Sequence, residues 1–138
     1  MASSPRDKVI LVVDDDAYIC EFLKTLLEKD GFEVATAFNG EWALRMVRSR
    51  KIDLILLDWM MPVLSGFEVL KSLQDGKLSS IPVIVITAKV SDEETVAKIK
   101  KEINVANFMT KPVDNAKLMQ RVHEILGTVP EKGKKPSR

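Results

Sequence analysis

One cysteine, Cys20, stands alone in 138 residues, which excludes an internal disulfide and makes a reducing compartment the simplest setting. Long apolar runs are missing too. Nothing approaches the roughly 20 consecutive apolar residues that cross a bilayer, and the opening MASSPRDK lacks the apolar core of a signal peptide. Charge of one sign is not in excess: 21 Lys and Arg face 20 Asp and Glu, a formal net charge of +1. That argues against a nucleic-acid footprint spread over the whole surface. No internal repeat is present. These absences point to a cytoplasmic protein that binds neither membrane nor nucleic acid directly. What remains is an ordinary globular balance, 46% hydrophobic and 30% charged. The length suits one domain burying roughly 70% of its unfolded surface.

The apolar pattern alternates between short continuous runs and helix-period stretches. Lys8 to Val13 reads as a strand covered on both faces. From Ala17, Ile19, Phe22, Leu23, Leu26 and Leu27 mark one helix face, with Gly31 as its stop. Phe32 to Ala37 is a second strand, and Asn39 caps a helix carrying Trp42, Leu44, Met46 and Val47. Ile52 to Leu57 is the third strand. A turn through Met61, Pro62 and Gly66 leads from it to a helix with Phe67, Val69, Leu70 and Leu73. Pro82 opens the fourth strand. Ser91 and Glu94 form a capping-box pair for a helix with Val96, Ile99 and Ile103. Asn107 to Met109 is a short fifth strand. Asp114 then caps a last helix through Leu118, Met119, Val122, Ile125 and Leu126.

Five β-α units predict an α/β fold, a (βα)5 doubly wound parallel sheet of five strands with helices on both faces. Residues 1–7 read as an N-terminal extension and 8–126 as the folded domain. Residues 127–138 read as a flexible basic tail or a linker, too short for an output domain.

In such a sheet the carboxyl ends of the strands share one edge, where ligands bind. The first strand runs into Asp14 and Asp15, the third into Asp58, the fourth into Thr87, and the fifth is followed by Lys111 and Pro112. Three carboxylates in one spot repel, and a hard divalent ion such as Mg²⁺ relieves that repulsion. A carboxylate can also be a nucleophile toward phosphorus, with an ammonium and a hydroxyl placed for the phosphoryl oxygens. Taken singly, an Asp after a strand is often a turn former, a Thr at a strand end bonds backbone, and a Lys is a solvated charge. Asp16 fits a helix cap better than a ligand. The joint placement is what points to phosphoryl chemistry.

The motifs LVVDDD, LLDWMMP with Gly66 downstream, VIVITA and FMTKP resemble those of the response-regulator receiver domain, the phosphoacceptor half of two-component signalling. The resemblance covers about residues 8 to 126. It implies a flavodoxin-like sheet in the order 2-1-3-4-5 and Asp58 as phosphoacceptor. It also implies an Mg²⁺ pocket of Asp14, Asp15, Asp58 and the backbone carbonyl of Met60, with Asp15 the direct ligand and Asp14 acting through water. Thr87 and Lys111 would contact the phosphoryl group, and Lys111-Pro112 would be a cis peptide. Thr87 and Phe108 would be the switch pair, Phe108 being otherwise a core residue.

The implied donor is a sensor histidine kinase or a phosphotransfer protein. The implied recipient is a downstream effector, or the chain's own output domain where it belongs to a longer protein. Catalysis would extend only to the chain's own phosphorylation and slow self-dephosphorylation, so it is not an enzyme with turnover. The output surface in relatives is the face of the fourth helix, fifth strand and last helix, here carrying Lys98, Lys101, Asn107 and Arg121. The fifth strand reads NVANF, without the acidic pair that dimerising relatives place there. That argues against their salt-bridged dimer and leaves another phosphorylation-dependent dimer open. Met60 and Lys89 replace polar residues beside the phosphoryl site, which predicts a long-lived phospho-form. A dehalogenase-like phosphatase would need a second Asp where Met60 stands. A binding module that had abandoned Asp58 would show a lost acid, Thr or Lys. His123 reads as a helix-surface residue and not as a phosphodonor.

Overall fold

The computed structural model describes residues 3–61, 64–88 and 92–130. Strands β1 (Val9–Val13), β2 (Glu33–Ala37), β3 (Leu54–Asp58), β4 (Val83–Thr87) and β5 (Val105–Thr110) alternate with helices. These are α1 (Ala17–Lys29), α2 (Gly40–Ser49), α3 (Gly66–Leu73), α4 (Glu93–Lys100) and α5 (Asn115–Leu126). All strand pairs are parallel, and the order is β2-β1-β3-β4-β5. Among the described residues, no helix is long and apolar enough to cross a membrane.

The pleat divides each buried strand between two cores. Ile10, Val12, Leu54, Leu56, Ile84 and Ile86 meet α1 and α5 through Leu23, Leu27, Leu118 and Val122. The alternate residues Leu11, Val13, Ile55, Leu57, Val83 and Val85 meet the other three helices through Leu44, Leu70 and Ile99. The chain reverses its winding between β1 and β3, which opens a crevice at the carboxyl ends of those two strands.

Side-chain caps start the helices at the expected Asn39 and Asp114, and Asp16 caps α1 by accepting from the Tyr18 and Ile19 amides. Ser65 and Glu68 form a complete capping box for α3 that was not read from the sequence. The cap of α4 is Asp92, which accepts from the Glu94 amide and the Thr95 hydroxyl. The expected cap Ser91, and with it Pro62 and Lys89, lies outside the described residues. Strand β3 begins two residues later than the apolar run, because Asp53 turns its carboxylate onto the Val9 amide at 2.7 Å. It therefore ends on Asp58 itself.

Other features depart from the sequence reading. A 3-10 turn at Gly76–Ser80 precedes β4. Trp42, expected on the buried face of α2, is half exposed. His123, expected on the surface, is buried between Asp30 and Thr128. Past α5, Gly127 turns left-handed at φ 66. Its carbonyl then accepts from the Ser3 amide at 2.8 Å. The first residues of the expected loose tail are thus held. Strand β5 is an open edge. The Lys111 amide reaches Thr87 O at 2.7 Å, so alternate amides of β5 face β4 and that of Phe108 faces away. The side chain of Asn107 accepts that outward amide at 2.7 Å.

Candidate functional site

The four sequence elements meet at the carboxyl edge of the sheet. Asp14 follows β1, Asp58 ends β3, Thr87 ends β4 and Lys111 follows β5. The Lys111 ammonium lies 2.8 Å from Asp14 Oδ2 and 3.7 Å from Asp58 Oδ1. Asp14 Oδ1 also accepts from the Asp16 amide at 2.9 Å, and Asp58 Oδ1 from the Met60 amide at 3.3 Å. The peptide between Lys111 and Pro112 is cis, as the resemblance implied.

Asp14 and Asp58 are buried whereas Asp15 is exposed, and one oxygen from each lies within 4.8 Å of the others. Burial, joined by the Asp14 charge, pushes Asp58 up from 3.8 to about 6, against the pull of Lys111 and the Met60 amide. Burial pulls the Lys111 ammonium down. The Asp14 hydrogen bond and charge, with Asp58 and Asp15, outweigh it and hold Lys111 above its ordinary value. Cys20 donates to Asp14 O at 3.2 Å, and its thiol is pushed up to about 11 by burial and by Asp14, so it is unreactive.

This donor set fits a hard cation. Three carboxylates face the Lys111 ammonium, carboxylate oxygens are of the hard type, and Asp58 is already driven toward protonation. The pocket can therefore hold a metal ion. A second signal stands beside it. Thr87 is fully buried, and its Oγ1 has no hydrogen-bond partner among the described residues. A buried hydroxyl without a partner costs about 1–3 kcal/mol, which a site for an anionic ligand would explain.

Sequence reasoning found the charged residues but passed over the parts that hold them. Gly66 was read only as part of a turn and of a motif. A Cβ there would lie 2.7 Å from Asp58 O and from Trp59 Cα, so only glycine lets α3 begin against the backbone of Asp58. Phe108 is half-buried against the core beneath α4, neither sequestered nor free. Met60 has its side chain 63% exposed and touches the site through its backbone. An apolar groove of about 580 Å³ opens beside Lys111, between Ile19 and Phe22 of α1 and Pro112 and Val113 before α5. Phe22, read from the sequence as part of the apolar face of α1, is half exposed there.

Residues 10–123 match the family model described as response regulator receiver domain. The chain is 42% identical over 120 residues to the alkaline phosphatase synthesis transcriptional regulatory protein PhoP of Bacillus subtilis, covering 87% of this chain and 49% of that protein. It is 37% identical over 118 residues to protein PilH of Pseudomonas aeruginosa, covering 85% of this chain and 96% of PilH. It thus spans about half the length of PhoP and nearly all of PilH. Among solved structures, the receiver domain of Francisella response regulator 1452 superposes with a TM-score of 0.77 at 34% identity, covering 86% of this chain and 96% of that one. The chemotaxis protein CheY4 of Vibrio cholerae gives 0.77 at 28% identity, covering 86% and 98%. Strand order, acid pocket and sequence agree, and the chain belongs to the receiver-domain family of two-component response regulators.

Proposed function

We propose that the chain is a phosphorylation switch that takes a phosphoryl group on Asp58 from a histidine kinase or a phosphotransfer protein. In the transfer, a carboxylate oxygen of Asp58 forms the new O–P bond as the P–N bond of the donor phosphohistidine breaks, and the imidazole leaves with the bonding electron pair. Oδ1 is occupied by the Met60 amide, which leaves Oδ2 as the attacking atom. With its pKa near 6, Asp58 is mostly ionised at neutral pH and ready to attack.

Lys111, already between Asp14 and Asp58, balances charge as the phosphoryl group arrives. Thr87 donates a hydrogen bond from its unpartnered hydroxyl to a phosphoryl oxygen. Asp15, Asp58 and the Met60 carbonyl would hold Mg²⁺ directly and Asp14 through water, and the ion would supply charge neutralisation at the phosphoryl oxygens. Both oxygens of Asp14 already have partners while Asp15 is exposed, which supports that division of labour. The apolar groove beside Lys111 gives the donor protein a place to bring its histidine to Asp58.

The observation that carries this reading is the orphaned Thr87 hydroxyl at the same edge as the Asp14–Lys111–Asp58 chain. A purely structural cluster has no use for a buried hydroxyl left unsatisfied. On phosphorylation Thr87 moves toward the new charge and the half-buried Phe108 turns inward. This biases the face of α4, β5 and α5 toward a protein effector, an attached output domain or a second copy. The unit spans residues 8–126 and works in the cytoplasm, where the chain acts as substrate and switch and not as a turnover enzyme.

Intact mass after incubation with acetyl phosphate and Mg²⁺ tests the proposal. A single phosphoryl adduct is expected, absent in Asp58→Asn and after chelation. A folded chain that gains no adduct from acetyl phosphate or from any phosphohistidine donor would be a constitutive interaction module instead.

A further inference from the structure

His123 occupies the end of the molecule opposite the acid pocket, near the end of α5, and the switch makes no use of it. Its Nε2 lies 2.8 Å from Asp30 Oδ2, its Nδ1 2.7 Å from Thr128 Oγ1, and its ring centroid 5.1 Å from that of Phe32. A carboxylate only accepts, so Nε2 carries a proton and donates to Asp30. In the neutral ring Nδ1 then accepts from the Thr128 hydroxyl, and every polar atom of the cluster is satisfied.

The three residues come from separate parts of the chain. Asp30 follows α1, His123 lies within α5, and Thr128 lies beyond it. The backbone repeats the connection. The amides of Gly127 and Thr128 both donate to His123 O, and Ser3 pairs with Thr128 in a parallel bridge.

An Asp–His–Thr series invites comparison with a hydrolase relay. Thr128 is only 5% exposed, however, and its own amide is engaged by His123 O, so its hydroxyl is not presented to a substrate. A buried neutral imidazole needs both an acceptor for its N–H and a donor for its other nitrogen. Here both ring nitrogens are engaged, and the partners lie just past the ends of two helices, Asp30 after α1 and Thr128 after α5.

We infer that His123 is a positioning residue that clasps the segment after α5 onto the end of α1. The rigid body then extends past Leu126 through Thr128. Helix α5 cannot continue into that segment, because Gly127 has turned left-handed and Thr128 is fixed to His123. The clasp thus lies at the end of the sheet away from Asp58, and α5 stops there as a helix.

Amide hydrogen exchange by NMR on the full chain tests this. Thr128 and Ser3 amides should exchange at least 100-fold more slowly than in a free peptide. Thr128→Val and His123→Ala should speed both by roughly tenfold or more, with β1 and β3 unchanged. The imidazole ¹⁵N spectrum at alkaline pH should show the proton on Nε2. Labelling of Asp58 by acetyl phosphate should be unaltered, which separates this inference from the switch itself. Free-peptide exchange at Thr128 in the wild type, unchanged exchange in Thr128→Val, or a proton on Nδ1 would each overturn the clasp. If His123→Ala loses protection throughout, it reports global unfolding and Thr128→Val alone decides.

Discussion

Replacing Asp58 with asparagine should make the metal-free protein more stable, and the gain can be worked from the site. The native carboxyl titrates near 6 and an ordinary one at 3.8. At about 1.4 kcal/mol per tenfold change, ionised Asp58 costs the fold about 3 kcal/mol. Between those values the unfolded chain has released this proton while the native chain retains it. Stability therefore falls as pH rises from about 4 to about 6, and the cost is complete above that range. Asparagine keeps the shape and the acceptor for the Met60 amide but carries no charge. Asp58→Asn should thus gain about 2–3 kcal/mol at pH 7.5 in EDTA, a rise in Tm of roughly 5–10 °C, and nothing at pH 3.5. Urea unfolding followed by circular dichroism at several pH values measures this. Saturating Mg²⁺ should close the gap by stabilising the wild type alone. A variant no more stable in EDTA, or one whose gain is equally large at pH 3.5, would refute the account of Asp58 as a buried and uncompensated charge.

Thr87→Val removes the orphaned hydroxyl at nearly constant volume, so urea unfolding should show a gain of about 1 kcal/mol. A loss of that size would mean that the hydroxyl has a partner. Gly66→Ala drives a Cβ into the backbone of Asp58 and Trp59, which cannot rotate away. It should cost about 1–3 kcal/mol and slow labelling of Asp58, and a neutral substitution would show that the α3 start is pliable. Met60→Asn should shorten the life of the phosphoryl adduct followed by intact mass, because a polar side chain can orient water where the thioether cannot. An unchanged decay would remove Met60 from the explanation of lifetime.

Strands β1, β3 and β4 were legible because each is a short β-branched or leucine run buried on both faces, and parallel order puts their ends together. Asp14, Asp58, Thr87 and Lys111 then followed from position alone. What sequence could not supply lies in contacts between distant residues. His123 follows Val122 on α5 and sits at the rim of its buried face, where helical periodicity cannot settle its burial. Asp30 settles it, from 93 residues away. The start of β3 depended on Asp53 reaching Val9. The orphaned state of Thr87 depends on what does not lie beside it, which no local pattern records. The cap of α4 was displaced by one residue because Ser91 and Asp92 are both good caps and only geometry chooses between them.

The Asn107 side chain folded onto the Phe108 amide has a consequence for life in a crowded cell. A sheet that stops at an open strand offers a template on which a neighbouring chain can crystallise, strand upon strand, into an aggregate. On β5 the central outward donor is already taken from within, so an incoming strand would meet a gap in the ladder where it most needs a bond. The sheet ends at its fifth strand through an internal plug, without a charge or a proline at that place, and β5 stays free for reversible contacts.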